Sequence, residues 1–164
     1  MELIQAPISA CSQLLELFRT TKRHLVINGI KQWDFFYPNR FVIMHDLKKG
    51  ELYGVADENG YVAAVTLNER QAKEYRRIPW KYAKPLVIHR LAVAPHAQGH
   101  GIGKKLLMAC EEFARANGYE SIRLDAYSGN EKALGLYEKH GYERRGEIMF
   151  PLRALPYVCF EKKL

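Results

Sequence analysis

The chain has 164 residues, 48% hydrophobic and 26% charged, with a net charge of 25 − 18 = +7. That length fits one globular domain, residues 1–164, with a core of adequate size. No apolar run approaches the roughly 20 residues that a membrane span needs, and Met1-Glu2-Leu3-Ile4 lacks the basic-then-apolar layout of a signal peptide.

Residues 2 to 6 read as a short first strand ending at Pro7. From about Ser9 to Ile27, Leu14, Leu15, Leu17, Phe18, Leu25 and Ile27 recur at helical intervals, and Asn28-Gly29 is a plausible stop. An aromatic connection, Trp33 to Pro38, leads to a second helix around Arg40 to Lys49. Leu52 to Ala56 and Tyr61 to Leu67 form a hairpin, with the Asn-Gly turn signal inside Asp57 to Gly60. Residues 69 to 84 are polar and basic and read as a loop or an irregular strand end. An apolar strand, Leu86 to Val93, precedes a helix whose apolar residues fall at 102, 106, 107, 110, 113 and 114. Ile122, Leu124 and Ala126 then alternate with Arg123 and Asp125, as along a strand. The next helix runs from about Asn130 to His140, with Ser128 and Glu131 spaced as a capping box and Gly141 as its stop. Strands near 142–149 and 156–162 close the chain. The order is β-α-α-β-β-β-α-β-α-β-β.

The glycines at 99, 101 and 103 sit where a strand turns into a helix. The first turn of such a helix has unpaired N–H groups, and glycine lets an anion approach them closely. A Walker loop would need Gly at 98 and Ser or Thr at 105, where Gln98 and Lys105 stand. A dinucleotide fingerprint starting at Gly99 would need a small residue where Lys104 stands. What fits is Gln-x-x-Gly-x-Gly, preceded by Arg90-Leu91-Ala92-Val93-Ala94-Pro95. This resembles the acetyl-CoA signature of the GNAT superfamily of N-acetyltransferases. A second block, Asn130, Ala133, Leu136-Tyr137-Glu138-Lys139 and Gly141-Tyr142, is similar to that superfamily's Asn-x-x-Ala-x-x-x-Tyr-x-x-x-Gly-Phe/Tyr stretch. The element order matches along the whole chain, but the specific residues lie between 86 and 142.

The resemblance implies an α/β (α+β) fold, the GNAT acyl-CoA N-acyltransferase fold, with a mixed, mostly antiparallel central sheet flanked by helices. It also implies acetyl transfer from acetyl-CoA to a primary amine by direct attack in a ternary complex. The alternative is a non-catalytic acyl-CoA-binding sensor or regulatory module of the same fold. The pantetheine arm is expected along Leu91, Ala92 and Val93, where a bulge in the family usually leaves one N–H free for the thioester carbonyl. The pyrophosphate is expected on the amides of Gly99, His100, Gly101, Ile102, Gly103 and Lys104, with Gln98 also among the cofactor-binding residues. The plain reading of that run is an ordinary glycine turn.

Asn130, Ala133 and Tyr137 are spaced i, i+3, i+7 and share one helix face. By resemblance that face meets the cofactor, with Tyr137 beside the sulfur as general acid and Asn130 helping to fix the pantetheine arm. Tyr137 also reads as a core aromatic. His89 stands near the family's usual base position. Asp125 and a water relay are further options for that role, and His89 also reads as a structural or substrate-contact residue. Trp33, Asp34 and Tyr37 are expected either to line an amine pocket or to close the core at a helix–helix corner.

Cys11, Cys110 and Cys159 are odd in number and widely spaced, which suggests neither disulfides nor a metal and favours the cytoplasm. The bases are scattered, and no nucleic-acid-binding signature accompanies them. The expected partners are therefore acetyl-CoA and an amine acceptor, with no nucleic acid and no membrane. A monomer or a homodimer is equally open.

Overall fold

Between Gly60 and Asn68 alternate side chains face opposite ways. Ala63, Val65 and Leu67 join one apolar cluster, while Val62 and Ala64 join another. Such an alternation requires a strand covered on both faces. In the computed structural model, which describes residues 2–34 and 36–164, this strand lies in a seven-stranded mixed sheet. The elements are β1 (Ile4–Gln5), α1 (Cys11–Ile27), α2 (Arg40–Lys49), β2 (Leu52–Asp57), β3 (Gly60–Asn68), β4 (Pro85–Val93), α3 (Ile102–Ala116), β5 (Ser121–Tyr127), α4 (Glu131–Lys139), β6 (Glu143–Ile148) and β7 (Tyr157–Lys163). Their spatial order is β1-β2-β3-β4-β5-β7-β6, and only the β4–β5 pair is parallel.

Helices α1 and α2 cover one face through Leu14, Phe18, Ile43 and Leu47. Helices α3 and α4 cover the other through Leu106, Leu107, Cys110 and Tyr137. Asn39 caps α2 by accepting the Val42 N–H at 3.1 Å, and Gly50 ends it in the left-handed region at φ 68°. The three cysteines are buried and free. Among the described residues no helix is long and apolar enough to cross a membrane.

Three local expectations need correction. The hairpin turns on Glu58-Asn59, with Gly60 (φ 119°) already paired to Asp57. The cap of α4 is not a Ser128–Glu131 box: Asn130 is the capping residue and accepts the Ala133 N–H at 3.2 Å. Segment 69–84 is no plain loop, because Lys73–Arg77 form a 3₁₀ turn that buries Tyr75 to 2% exposure. Tyr75 and Ile78 pack there with Val87, Tyr127, Ile148 and Tyr157. Basic residues interrupt those apolar positions, so no period showed in the sequence.

A buried ionic group ties the C-terminal half together. Glu161, fully buried, accepts from Arg123 Nε at 3.1 Å, Arg145 Nε at 2.8 Å and the Lys81 N–H at 2.9 Å. Removing one member of such a group leaves uncompensated buried charge. Glu161→Gln is therefore expected to cost about 3 kcal/mol, a fall of roughly 10 °C in melting temperature by calorimetry. Burial pushes the Glu161 carboxyl up, but the hydrogen bonds from Lys81 and Arg145 outweigh it and hold the group below its ordinary 4.5. Its contribution is thus present above that value and lost as pH falls through the lower folded value.

Candidate active site

Strands β4 and β5 lie side by side but pair only at Pro85↔Ser121, Leu86↔Ile122 and Val87↔Arg123. Beyond those pairs they part. Each strand keeps the partner on its other edge. β5 pairs with β7 along its full length, from Ser121↔Lys163 to Tyr127↔Tyr157. β4 stays with β3 but carries a bulge, since its register passes from Thr66↔His89 to Ala64↔Ala92. Arg90 and Leu91 therefore oppose Val65 alone, and Arg90 sits at φ 52°. A bulge of this kind takes backbone polar groups out of the ladder. The family resemblance implied a bulge in this stretch of β4, and it falls at Arg90 and Leu91.

A cavity of about 1120 Å³ fills the parting and is lined by Leu91, Ala92 and Val93 on one side. Past Val93 the glycine run forms its far wall. Gly99 and Gly101 have φ 83° and 73°, a region that favours glycine, and a Cβ on either would meet nothing within 4 Å. The first helical bond of α3 is donated by Lys105 to the Gly101 carbonyl at 3.0 Å, so the amides of Ile102, Gly103 and Lys104 have no acceptor within the helix. The loop is thus an open cradle of N–H groups that suits a phosphate. Gln98 braces it, its Nε2 donating to the Val93 carbonyl at 3.0 Å. His100 is exposed, its ring 3.0 Å from the Gln98 carbonyl, and does not line the cavity.

The two faces of the sheet each send a titratable group into the opening. From α4, Asn130, Ala133 and Tyr137 line it together, as their spacing implied. Tyr137 is 6% exposed, its ring packed on Tyr142 and Phe160. From β5, Asp125 alternates with the residues that pack under α3, so it projects from the opposite face into the same cavity. Burial raises its carboxyl to about 6, although the Tyr75 hydroxyl donates to Oδ2 at 2.6 Å.

Over residues 12–142 the sequence matches the Acetyltransferase (GNAT) family. The chain belongs to this family. It is 40% identical over 57 residues to the uncharacterised N-acetyltransferase YhfO of Bacillus subtilis, a match covering 35% of this chain and 38% of that protein. The chain thus spans about two fifths of that relative's length. A GNAT-family acetyltransferase of Streptococcus agalactiae superposes with a TM-score of 0.85 at 19% identity, over 99% of this chain and 95% of that one. The PaiA N-acetyltransferase of Thermoplasma acidophilum, solved in complex with coenzyme A, superposes with a TM-score of 0.74 at 16% identity, over 99% of this chain and 98% of that one. The seven-stranded sheet with flanking helices is the GNAT fold.

Within this GNAT chain the other expected residues separate. His89 lines the cavity, but its Nε2 meets Asn68 Oδ1 at 2.9 Å, and burial with the charges of Arg90 and Arg70 lowers its pKa to about 4. Asn68 donates its own amide to Glu51 Oε2 at 3.0 Å, which turns its oxygen toward the ring and makes His89 Nε2 the donor. Trp33 and Tyr37 line the cavity, Trp33 also packing edge-on against Phe18 at 5.9 Å. Asp34 stands outside the lining: its carboxylate takes Arg153 Nη1 at 3.0 Å and the Phe36 N–H at 2.8 Å. Trp33 thus belongs to the core and to the cavity wall together.

Sequence reasoning missed Tyr75, Asp46 and Arg90. Asp46, 1% exposed on α2, takes Arg90, Arg70 at 3.2 Å and the Thr66 hydroxyl at 2.9 Å. A charged residue on the inner side of a helix, among Ile43 and Leu47, was the available signal. Among the described residues no group of three or more His, Cys, Asp or Glu is placed to hold a metal ion.

Proposed function

We propose that the protein transfers the acetyl group of acetyl-CoA to a primary amine by direct attack in a ternary complex. The carrying observation is the parting of β4 from β5, where Asp125, Tyr137 and the amide cradle of Gly99 to Lys104 share one cavity. The coenzyme A bound to the Thermoplasma neighbour supports the reading. Acetyl-CoA, bound along Leu91 to Val93 with its pyrophosphate on the cradle, supplies an activated acyl carbon.

Asp125 takes the proton from the acceptor ammonium, which leaves the amine lone pair free to attack. Backbone freed at the Arg90–Leu91 bulge steadies the charge that grows on the acyl oxygen. As the C–N bond forms and the C–S bond breaks, Tyr137 passes its phenolic proton to the sulfur. The nitrogen sheds its second proton as the amide forms, which restores the Tyr137 phenol, and the proton held by Asp125 leaves to solvent, so each turnover yields the amide, the coenzyme A thiol and one proton. His89 fits the base role less well than Asp125, because a ring at about 4 has little drive to take a proton near neutral pH. The reaction is assigned to the cytoplasm, with the chain acting as a monomer or a homodimer.

Titration with acetyl-CoA tests the reading. Micromolar binding, roughly −8 kcal/mol, is expected for the natural chain, and none for Gly101→Glu, whose carboxylate would enter the cradle. Equal affinity in the two proteins would exclude the phosphate loop.

A further inference from the structure

The acceptor side of the cavity is lined by Arg70, Arg90 and Arg153, against one carboxylate, Asp125. The cavity's other acid, Glu131, opens α4 beside Lys132. Each arginine is held from behind. Asp46 and Glu51 take Arg70, Asp46 takes Arg90, and Asp34 takes Arg153, and none of these three acids lines the cavity. Carboxylates so placed fix the guanidiniums while leaving them nearer to a ligand than the acids are. Arg90 is 10% exposed, and its Nε lies buried with no hydrogen-bond partner among the described residues.

We propose that the acceptor is an amine that also carries a carboxylate, which Arg70, Arg90 and Arg153 hold while the amino group lies between Asp125 and the thioester. This rests on the acetyltransferase reading above and adds the class of acceptor. A guanidinium offers paired donors that match a carboxylate. A polyamine would instead carry its second ammonium against these arginines and find no free carboxylate there. The same cations disfavour the charged form of the reacting amine, which eases its deprotonation.

The test is steady-state acetylation of α-amino acids, their α-amides and spermidine, with acetyl-CoA as donor, by the natural chain and by Arg70→Gln and Arg153→Gln. Arg70 is 46% exposed, so its replacement leaves the core intact. Amino acids are expected to show at least about 10-fold higher kcat/KM than their amides. Either variant should raise KM for the amino acid about 10-fold at unchanged kcat, and leave the amide unaffected. Preference for spermidine, equal use of amides, or variants that weaken acid and amide alike would overturn the proposal. Acetyl-CoA titration of the same proteins separates the two readings: binding retained with the wrong acceptor preference removes only this one, whereas absent binding in the natural chain removes the acetyltransferase reading itself.

Discussion

Replacement of Tyr137 by phenylalanine is expected to lower kcat by on the order of 10²-fold or more, with folding and acetyl-CoA affinity unchanged. The ring packs against Tyr142 and Phe160 at centroid separations of 5.8 and 5.6 Å, and phenylalanine keeps both contacts. Only the hydroxyl is lost, so the effect reports proton transfer rather than packing. Burial, then the Asp125 charge, raises the phenol above its ordinary value of 10.0, which keeps the proton in place before reaction. Once Asp125 has accepted the amine's proton its charge is gone, and the phenol becomes a better acid when the sulfur needs one. Turnover unchanged at saturating substrates would exclude Tyr137 as the acid, and a melting temperature measured beside it would show whether the fold had moved.

Substitution of Asp125 by asparagine is expected to do two opposite things. Activity should fall by about 10²- to 10⁴-fold, and the rise of kcat/KM with pH through about 6 should disappear with it. Stability should increase. The carboxyl holds its proton in the folded chain up to about 6 but releases it near 3.8 when unfolded, so the native state loses stability as pH climbs from 3.8 to 6 and stays lower above that. Asparagine removes this penalty, up to about 3 kcal/mol at pH 7, and still accepts the Tyr75 hydroxyl. Denaturant unfolding at pH 5 and pH 8 checks the sign, since the gain at pH 5 should be about half of that at pH 8. A variant that is inactive and no more stable at pH 8 would mean that Asp125 is held charged by a structural partner rather than poised to take a proton.

The parts of the site that could be read from the sequence are those written within a few residues of one another. The run from Gln98 to Gly103 carries its own backbone requirement, because Gly99 and Gly101 lie at positive φ. Asn130, Ala133 and Tyr137 needed only the helical period to share a face. The bulge in β4 followed from resemblance and is present at Arg90 and Leu91. What escaped is what the chain assembles across long separations. Tyr75 meets Asp125 across 50 positions, and Asp46 meets Arg90 across 44. Neither pairing is written in local composition, although Asp46 on the inner side of α2 signals a buried charge. For His89 the sequence offered an ordinary imidazole near 6.5, and only the fold reveals the burial and the flanking arginines that lower it. Asp34 misled in a related way: a carboxylate beside Trp33 and Tyr37 suggested an ammonium partner, and the chain uses it for Arg153, more than a hundred positions away.

The short contact between β4 and β5 has a mechanical consequence. With only Pro85–Val87 joined to Ser121–Arg123, the sheet consists of two rafts, β1 to β4 and β5 with β7 and β6, bound along part of one spine. On the proposed reaction, a thioester lying in the gap leans on Leu91–Val93 of one raft and on the helix that follows β5 in the other. The substrate then acts as a missing rung of the ladder, and the protein borrows stiffness from what it is about to consume. Coenzyme A keeps nearly all of those contacts after the acyl group has gone. On that reading its departure gives up contacts with both rafts at once, which ties the end of each cycle to the seam rather than to the bond just made.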